Sequence, residues 1–425
     1  MANTQSGIRE LSFKEVVAKY PQLPRLNILK TDVQRRGVFF TQESLNQVDP
    51  NQYQVTGANV FFSTLGARDP ECKSVPEALI LRDGTTIIID ATPLEQNPYI
   101  IDYRDGRFVI TDNDEEIEEV DFWEKPDYYG KFTSAGTQMD SVIFARPQRL
   151  NITPTSYCSF WKNGNGCKYC DLVPHLKEEG VIKKKLTPED AYETVREAIK
   201  QKGRFTTLCM TMGSDVNGAT PFDRELDYYI DILQAIGRNF EGRFPSQVIT
   251  TALNYDQLSR LYNETGISSY TADIEVLNEE LFNWICPGKA EWVGYREWKK
   301  RLIDAVDIFG RGRVNSGIVG GVELARPNGF KTEAEALNHT LAEAETLISA
   351  GVAVVYIVWV PRPLSYFKDQ KNASLEYYAD LTLGLNALTE KHGLTMDFDD
   401  YRRCGNHPNS DLLRISSGGR INGVI

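Results

Sequence analysis

The chain has 425 residues, 41% of them hydrophobic and 25% charged, more than the roughly 250 to 300 residues one core organises, so two units are expected. A net charge of −12 at pH 7 argues against a phosphate-backbone partner, and no apolar run approaches the ~18 residues of a membrane span. The opening MANTQSGIRELSFKEVV has neither the basic cap nor the apolar stretch of a secretion signal, and seven unevenly spaced cysteines make no disulfide framework, so a reducing cytoplasm is expected.

Residues 1–145 read as a β-rich module with its linker. EALILRDGTTIIIDA and PYIIDYRDGRFVITD each set Asp-Gly between β-branched or aromatic runs, and that dipeptide tolerates the positive φ angles of a tight hairpin turn. The acidic stretch DNDEEIEEVD, 112–121, is expected to be a solvated edge or linker, and WEKPDYYGKFTSAGTQ after it an irregular passage between units. No internal repeat is found.

From residue 146 to 395 the rhythm is strand, loop, helix. Six short apolar runs (RLNIT, FTTLCMT, SQVITTA, SSYTADI, RVNSGIV, VAVVYIVWV) alternate with helical segments, which predicts an α/β fold of parallel units, a partial (β/α)6 TIM-type barrel. In LTPEDAYETVREAIKQKG, Thr187 caps, Pro188 suits the first helical position, and Glu189 and Asp190 favour the positive helix start. In KTEAEALNHTLAEAETLISAG, Leu337, Leu341, Ala344 and Ile348 form the core stripe and Gly351 ends the run. Lys183-Lys184-Lys185 reads as a solvated helix entrance. Residues 396–425 read as a C-terminal extension, either folded over the barrel mouth or bound on the outside of the barrel.

Such barrels carry their chemistry at the C-terminal ends of the strands. Cys158, Cys167 and Cys170 fall in the loop after the first strand, in SYCSFWKNGNGCKYC. Three thiolates hold three irons of a [4Fe-4S] cluster and leave the fourth iron open to a small molecule, whereas an electron carrier usually takes a fourth cysteine. A Cys3His zinc site completed by His175 uses the same spacing. Cys72, Cys209, Cys286 and Cys404 stand alone and read as small buried hydrophobes.

These residues resemble the radical S-adenosylmethionine (SAM) enzymes. Cys167-Lys168-Tyr169-Cys170 matches the latter half of that family's motif; eight residues in place of three separate the first two cysteines. Met212-Gly213-Ser214-Asp215 after the second strand is similar to the Gly-Gly-Glu turn that takes the methionyl amine of SAM. TADIEVLN resembles the segment meeting ribose and methionyl groups, which points to Asp273 and Glu275. SGIVGGVE keeps Ile318, Gly320 and Glu323 of a pattern near the adenine, with Ser316 for its first glycine. VWVPRPLS resembles the turn that closes the adenine pocket in biotin synthase-like relatives.

The resemblance covers roughly residues 145–395. It implies a [4Fe-4S] cluster on Cys158, Cys167 and Cys170, with SAM against Tyr169, Gly213, Ser214, Asp215, Asp273, Glu275, Ile318, Gly320 and Glu323. Reductive cleavage of SAM to a 5'-deoxyadenosyl radical, hydrogen abstraction from a small-molecule substrate, and a flavodoxin or ferredoxin-type electron donor follow from it. The lack of a second cysteine set or a cobalamin pattern favours rearrangement, bond cleavage or carbon-carbon bond formation. A zinc-stabilised binding or regulatory protein and a non-catalytic iron-sulfur scaffold or sensor are the competing readings. In the tail, Asp397, Asp399, Asp400, Tyr401, Arg402, Arg403, Cys404 and His407 are candidate substrate contacts, while Arg296 and Arg362 read as surface residues.

Overall fold

The computed structural model describes residues 9–55, 75–146, 148–154, 157–178, 186–211, 213–395 and 405–416. Its strands are β1 (Val38–Phe40), β2 (Ala78–Leu81), β3 (Thr86–Ile88), β4 (Tyr99–Arg104), β5 (Arg107–Asp112), β6 (Glu115–Phe122), β7 (Ile143–Ala145), β8 (Arg149–Ile152), β9 (Thr207–Thr211), β10 (Phe244–Ile249), β11 (Ile267–Thr271), β12 (Val314–Gly320) and β13 (Val352–Val358).

The first six make one mixed sheet in the order β1-β4-β5-β6-β2-β3. Both Asp-Gly dipeptides turn hairpins, β2–β3 and β4–β5, and in the second Asp105 and Gly106 both take positive φ. The acidic stretch corrects the expectation: β6 is an interior strand between β5 and β2, not an edge. Strand alternation explains the tolerance. Glu115, Glu119 and Asp121 face solvent, while Val120 and Phe122 enter the core with Glu118, which accepts from Arg25 and Arg82. The reading of strands and turns also missed two helices, Phe13–Lys19 and Arg25–Arg36, that pack on this sheet's core.

The second sheet runs β13-β12-β11-β10-β9-β8-β7, with β8 to β13 parallel in chain order and β7 antiparallel at one edge. All six predicted strands are present, joined by helices that include Pro188–Ala198, capped by Thr187, and Glu333–Ala350, ended by Gly351. Asn151 on β8 and Ile357 on β13 line one cavity, so the sheet curls into an open (β/α)6 half-barrel. Its lumen is polar: Gln247 donates to Thr271 at 2.8 Å, and Thr271 donates to Asn315 at 2.6 Å.

An open barrel leaves two strand edges bare, and here other parts of the chain cover them. At β7, Gln54 Nε2 donates to Ala145 O at 2.8 Å. At β13, Asn409 brackets the backbone, its amide donating to Val354 O at 3.1 Å while its Oδ1 accepts from Tyr356 N at 3.2 Å. Asn409 lies in the first turn of the helix Pro408–Ser416, which is tied to the first unit by a buried Lys30–Asp411 ion pair at 2.7 Å. The N-terminal unit thus spans the gap between the two edges.

Candidate active site

The loop after β8 begins at Cys158, which precedes a 3-10 turn, Ser159–Gly164, and returns through a tight turn in which Cys170 N donates to Cys167 O at 3.1 Å. Two neighbours clamp it. Ser159 N donates to Ser214 O at 2.6 Å, binding the loop to the turn after β9. On the other side, Lys168 N donates to Ile285 O at 2.8 Å and Gly288 N to Asn165 O at 2.9 Å, binding it to the corner between the helices Glu279–Ile285 and Pro287–Trp292. Glycine is required at both clamps: a Cβ on Gly213 would lie 2.6 Å from Tyr157 O and collide with Cys158, and one on Gly288 would lie 2.6 Å from Phe160 Cβ.

So held, Cys158, Cys167 and Cys170 all line a cavity of about 380 Å3 at the C-terminal ends of the barrel strands. Burial, and then the neighbouring Cys167, pushes the Cys158 thiol up to about 11, and burial raises Cys170 as well. Cys167 moves the other way: a hydrogen bond from Cys286 lowers it and, with the Lys289 cation, outweighs burial. Lys289 donates to Glu275 at 2.5 Å and to Asp273 O at 2.6 Å, and lies 4.7 Å from the Trp298 ring centroid. Glu275 holds a left-handed backbone (φ 70°), unusual for a residue with a Cβ, fixed by its bridge to Ile318. Burial, then the charge of Glu275, raises the Asp273 carboxyl to about 6.

The predicted residues divide into two groups. Tyr169, Gly213, Ser214, Asp273 and Glu275 line the cavity together with the three thiols. Asp215, Ile318, Gly320 and Glu323 do not. Asp215 turns to Arg224 at 2.6 Å, and its backbone N–H donates to the buried Glu225 at 2.6 Å. Ile318 and Gly320 stay within β12, and buried Glu323 accepts from Gly321 N–H and the Tyr377 hydroxyl. Arg362 is a correction: it lines the cavity and donates to Asp90 of the N-terminal unit at 3.0 Å, whereas Arg296 stays on the surface with Glu279. Cys286 is buried in the core as expected but does not stand alone, since its thiol meets Cys167. Cys209 is buried as expected.

Cys72, Cys404, Lys183-Lys184-Lys185 and the stretch Asp397 to Arg403 lie outside the described residues, as does the side chain of His175. Asn406 reaches the cavity wall. Unforeseen in the sequence were Lys289, Asn151 and Arg146 and, from the N-terminal unit, Gln34 and Asp90; alternation along β8 offered a signal for Asn151 alone.

Among the described residues no three His, Cys, Asp or Glu side chains converge on a point that would hold a single ion. A cubane asks for something different, one thiolate at each of three corners around a common void, and three thiols face one here.

Fold and site together define a class of protein: an open (β/α)6 half-barrel with a thiol-lined cavity at the strand ends. No family model matches the chain, and no curated protein matches it. Among solved structures, it is similar to a radical SAM methyltransferase from Sphaerobacter thermophilus (16% identity, covering 94% of this chain and 98% of that one, TM-score 0.41). It is also similar to HydG, a maturase of the [FeFe]-hydrogenase, at 18% identity and TM-score 0.41, covering 60% of this chain and 52% of that one. HydG from Carboxydothermus hydrogenoformans matches at 19% identity and TM-score 0.42, covering 57% and 52%. The chain thus spans about half the length of the HydG proteins. Superpositions this loose carry no argument about chemistry.

Proposed function

We propose that the chain is a radical SAM enzyme acting on a small molecule. One observation carries the reading: the three cysteines of the variant motif, with Tyr169 between the last two, face a single cavity at the C-terminal ends of the half-barrel strands. When bound, the cluster supplies the electron that cleaves SAM to methionine and a 5'-deoxyadenosyl radical. Cys158, Cys167 and Cys170 would hold it, leaving one iron open.

This chain's residues do the rest. Tyr169, Ser214, Asp273 and Glu275, which line the cavity, would hold SAM, Tyr169 supplying an aromatic face for the adenine and Ser214, Asp273 and Glu275 polar groups for its methionyl and ribose parts. Asp215, Ile318, Gly320 and Glu323 act from behind, Ile318 through its bridge to Glu275. The polar barrel lumen and the N-terminal unit form the chamber wall, and the C-terminal extension contributes to it through Asn406. A flavodoxin or ferredoxin-type donor supplies the electron, in a cytoplasmic setting. After hydrogen abstraction the substrate undergoes rearrangement, bond cleavage or carbon-carbon bond formation.

Anaerobic reconstitution tests the proposal. The expected result is brown protein with about four irons per chain and dithionite-dependent release of 5'-deoxyadenosine from SAM, with iron lost in Cys158→Ala, Cys167→Ala and Cys170→Ala. Colourless zinc protein indifferent to oxygen would instead support the zinc-stabilised regulator, and iron without SAM cleavage the scaffold or sensor.

A further inference from the structure

The cysteine loop has an inner and an outer side. Cys158, Phe160, Trp161, Cys167, Tyr169 and Cys170 line the cavity, whereas Tyr157, Lys162 and Lys168, from the same loop, do not. On that outer side each lysine lies on a tyrosine. Lys162 Nζ is 5.8 Å from the Tyr157 ring centroid, and Lys168 Nζ is 5.2 Å from that of Tyr366. The two tyrosines are 39% and 69% exposed, and neither ammonium forms an ion pair among the described residues. A cation over an exposed ring is held weakly, so both charges remain open to a partner.

The patch is built onto the thiols. Lys168 follows Cys167 in the chain, and its N–H donates to Ile285 O at 2.8 Å. Tyr366 is seated beside it because its neighbour Phe367, 1% exposed, packs 5.3 Å from the ring of Trp284, one residue before Ile285. Lys368 adds an exposed ammonium two residues on. Two carboxylates share this face, Asp369 and Glu291, the second accepting from Asn165 Nδ2 at 2.7 Å. Three lysines against two acids leave the outer side of the loop positive on a chain whose net charge is −12. An acidic protein is repelled by the molecule as a whole and drawn to that part of it.

We propose that the outer side of the cysteine loop is the docking surface of an acidic flavoprotein that carries single electrons, a carrier of the flavodoxin type. The inference rests on the radical SAM reading, which requires an electron and leaves its place of entry open. One electron leaves the reduced flavin and reduces the cluster by one; no bond of this chain forms or breaks. The flat rings of Tyr157 and Tyr366 suit the exposed edge of a flavin, and aromatic anchors with charge at the rim are the make-up of a protein interface. Lys162 and Lys168 steer the approach.

The test uses the full-length chain, reconstituted anaerobically, and a purified flavodoxin, with a ferredoxin run in parallel as the competing occupant. Binding of the oxidised carrier is followed by titration calorimetry, and cluster reduction by the loss of visible absorbance after rapid mixing with the reduced carrier. Lys162→Glu with Lys168→Glu should slow reduction by flavodoxin about tenfold or more at low salt and weaken binding in step, and added salt should slow the wild type. Dithionite needs no docking surface, so it should reduce variant and wild type to the same extent. Lys200→Glu with Lys202→Glu, an equal change of net charge placed ahead of β9 at the far ends of the strands, should leave both flavodoxin readouts near wild type. Tyr366→Ser should weaken binding about fivefold with no change in melting temperature.

Equal flavodoxin rates in wild type and the loop variant, an equal loss in the Lys200→Glu/Lys202→Glu control, or preferential binding of the ferredoxin would overturn the proposal. Iron content and dithionite-driven release of 5'-deoxyadenosine are read on the same wild-type sample. Flavodoxin binding that the loop variant loses, without SAM cleavage, would sink the radical SAM reading and leave the docking surface. SAM cleavage with dithionite but no flavodoxin binding would do the reverse.

Discussion

Lys289 carries the densest set of interactions at the site. Its side chain is only 11% exposed, it pairs with Glu275, and it bonds the backbone of Asp273. Removing one partner of a buried pair strands the other charge, at about 3 to 5 kcal/mol. Lys289→Met should therefore lower the urea midpoint strongly, and adding Glu275→Gln should recover most of the loss; additive losses would show that the pair is not coupled. Glu323 makes a different case. Burial raises its carboxyl to about 7 from an ordinary 4.5, so the folded state holds the proton more tightly than the unfolded chain. Its neutral form is stable below pH 4.5, and stability is lost as pH rises from there through about 7. The shift corresponds to roughly 3 kcal/mol. Glu323→Gln should flatten the fall in melting temperature between pH 5 and 7, and an unchanged slope would place the titration elsewhere. Cys286 donates to Cys167, and hydrogen bonds to cluster sulfurs help set the potential. Cys286→Ala should make the loaded protein harder to reduce in a dithionite-mediated redox titration, and Cys286→Ser should lie nearer the wild type.

At the scale of elements, the cysteine loop depends on what it lies against. Gly213 leaves room for Cys158 and the Tyr157 carbonyl, so Gly213→Ala should fold normally by circular dichroism yet take up markedly less iron on reconstitution. Normal iron would mean the loop shifts at no cost. The strands were legible because six β-branched runs alternate with capped helices, and local chemistry such as Thr187 on Asp190 N fixes where each helix begins. The thiols were legible through their spacing. Lys289 and Cys286 were not, because they reach the site through backbone pairing of Lys168 with Ile285, a contact between distant segments that leaves no local pattern. The acidic stretch misled for a related reason: its charge count is that of a linker, while its alternation is that of a strand.

At the scale of the molecule, the half-barrel is closed by chain from outside it. Gln54 covers β7, Asn409 covers β13, and a Lys30–Asp411 pair that is almost wholly buried locks the covering parts together. A fragment of residues 125–395 keeps every barrel strand but bares both edges, and bare edges template pairing between copies. It should associate or precipitate where the full chain is monodisperse by light scattering; a monodisperse fragment would show that the edges need no cover. Asp411→Asn should loosen the terminal helix and speed limited proteolysis there.

The Asp90 to Arg362 link joins residues 272 positions apart in the chain at one place in the chamber wall. The thiols that would start the chemistry therefore share their chamber with two residues, Gln34 and Asp90, inherited on a separate stretch of chain. Substitutions at Gln34 or Asp90 therefore alter the chamber wall while leaving the ignition hardware as it is.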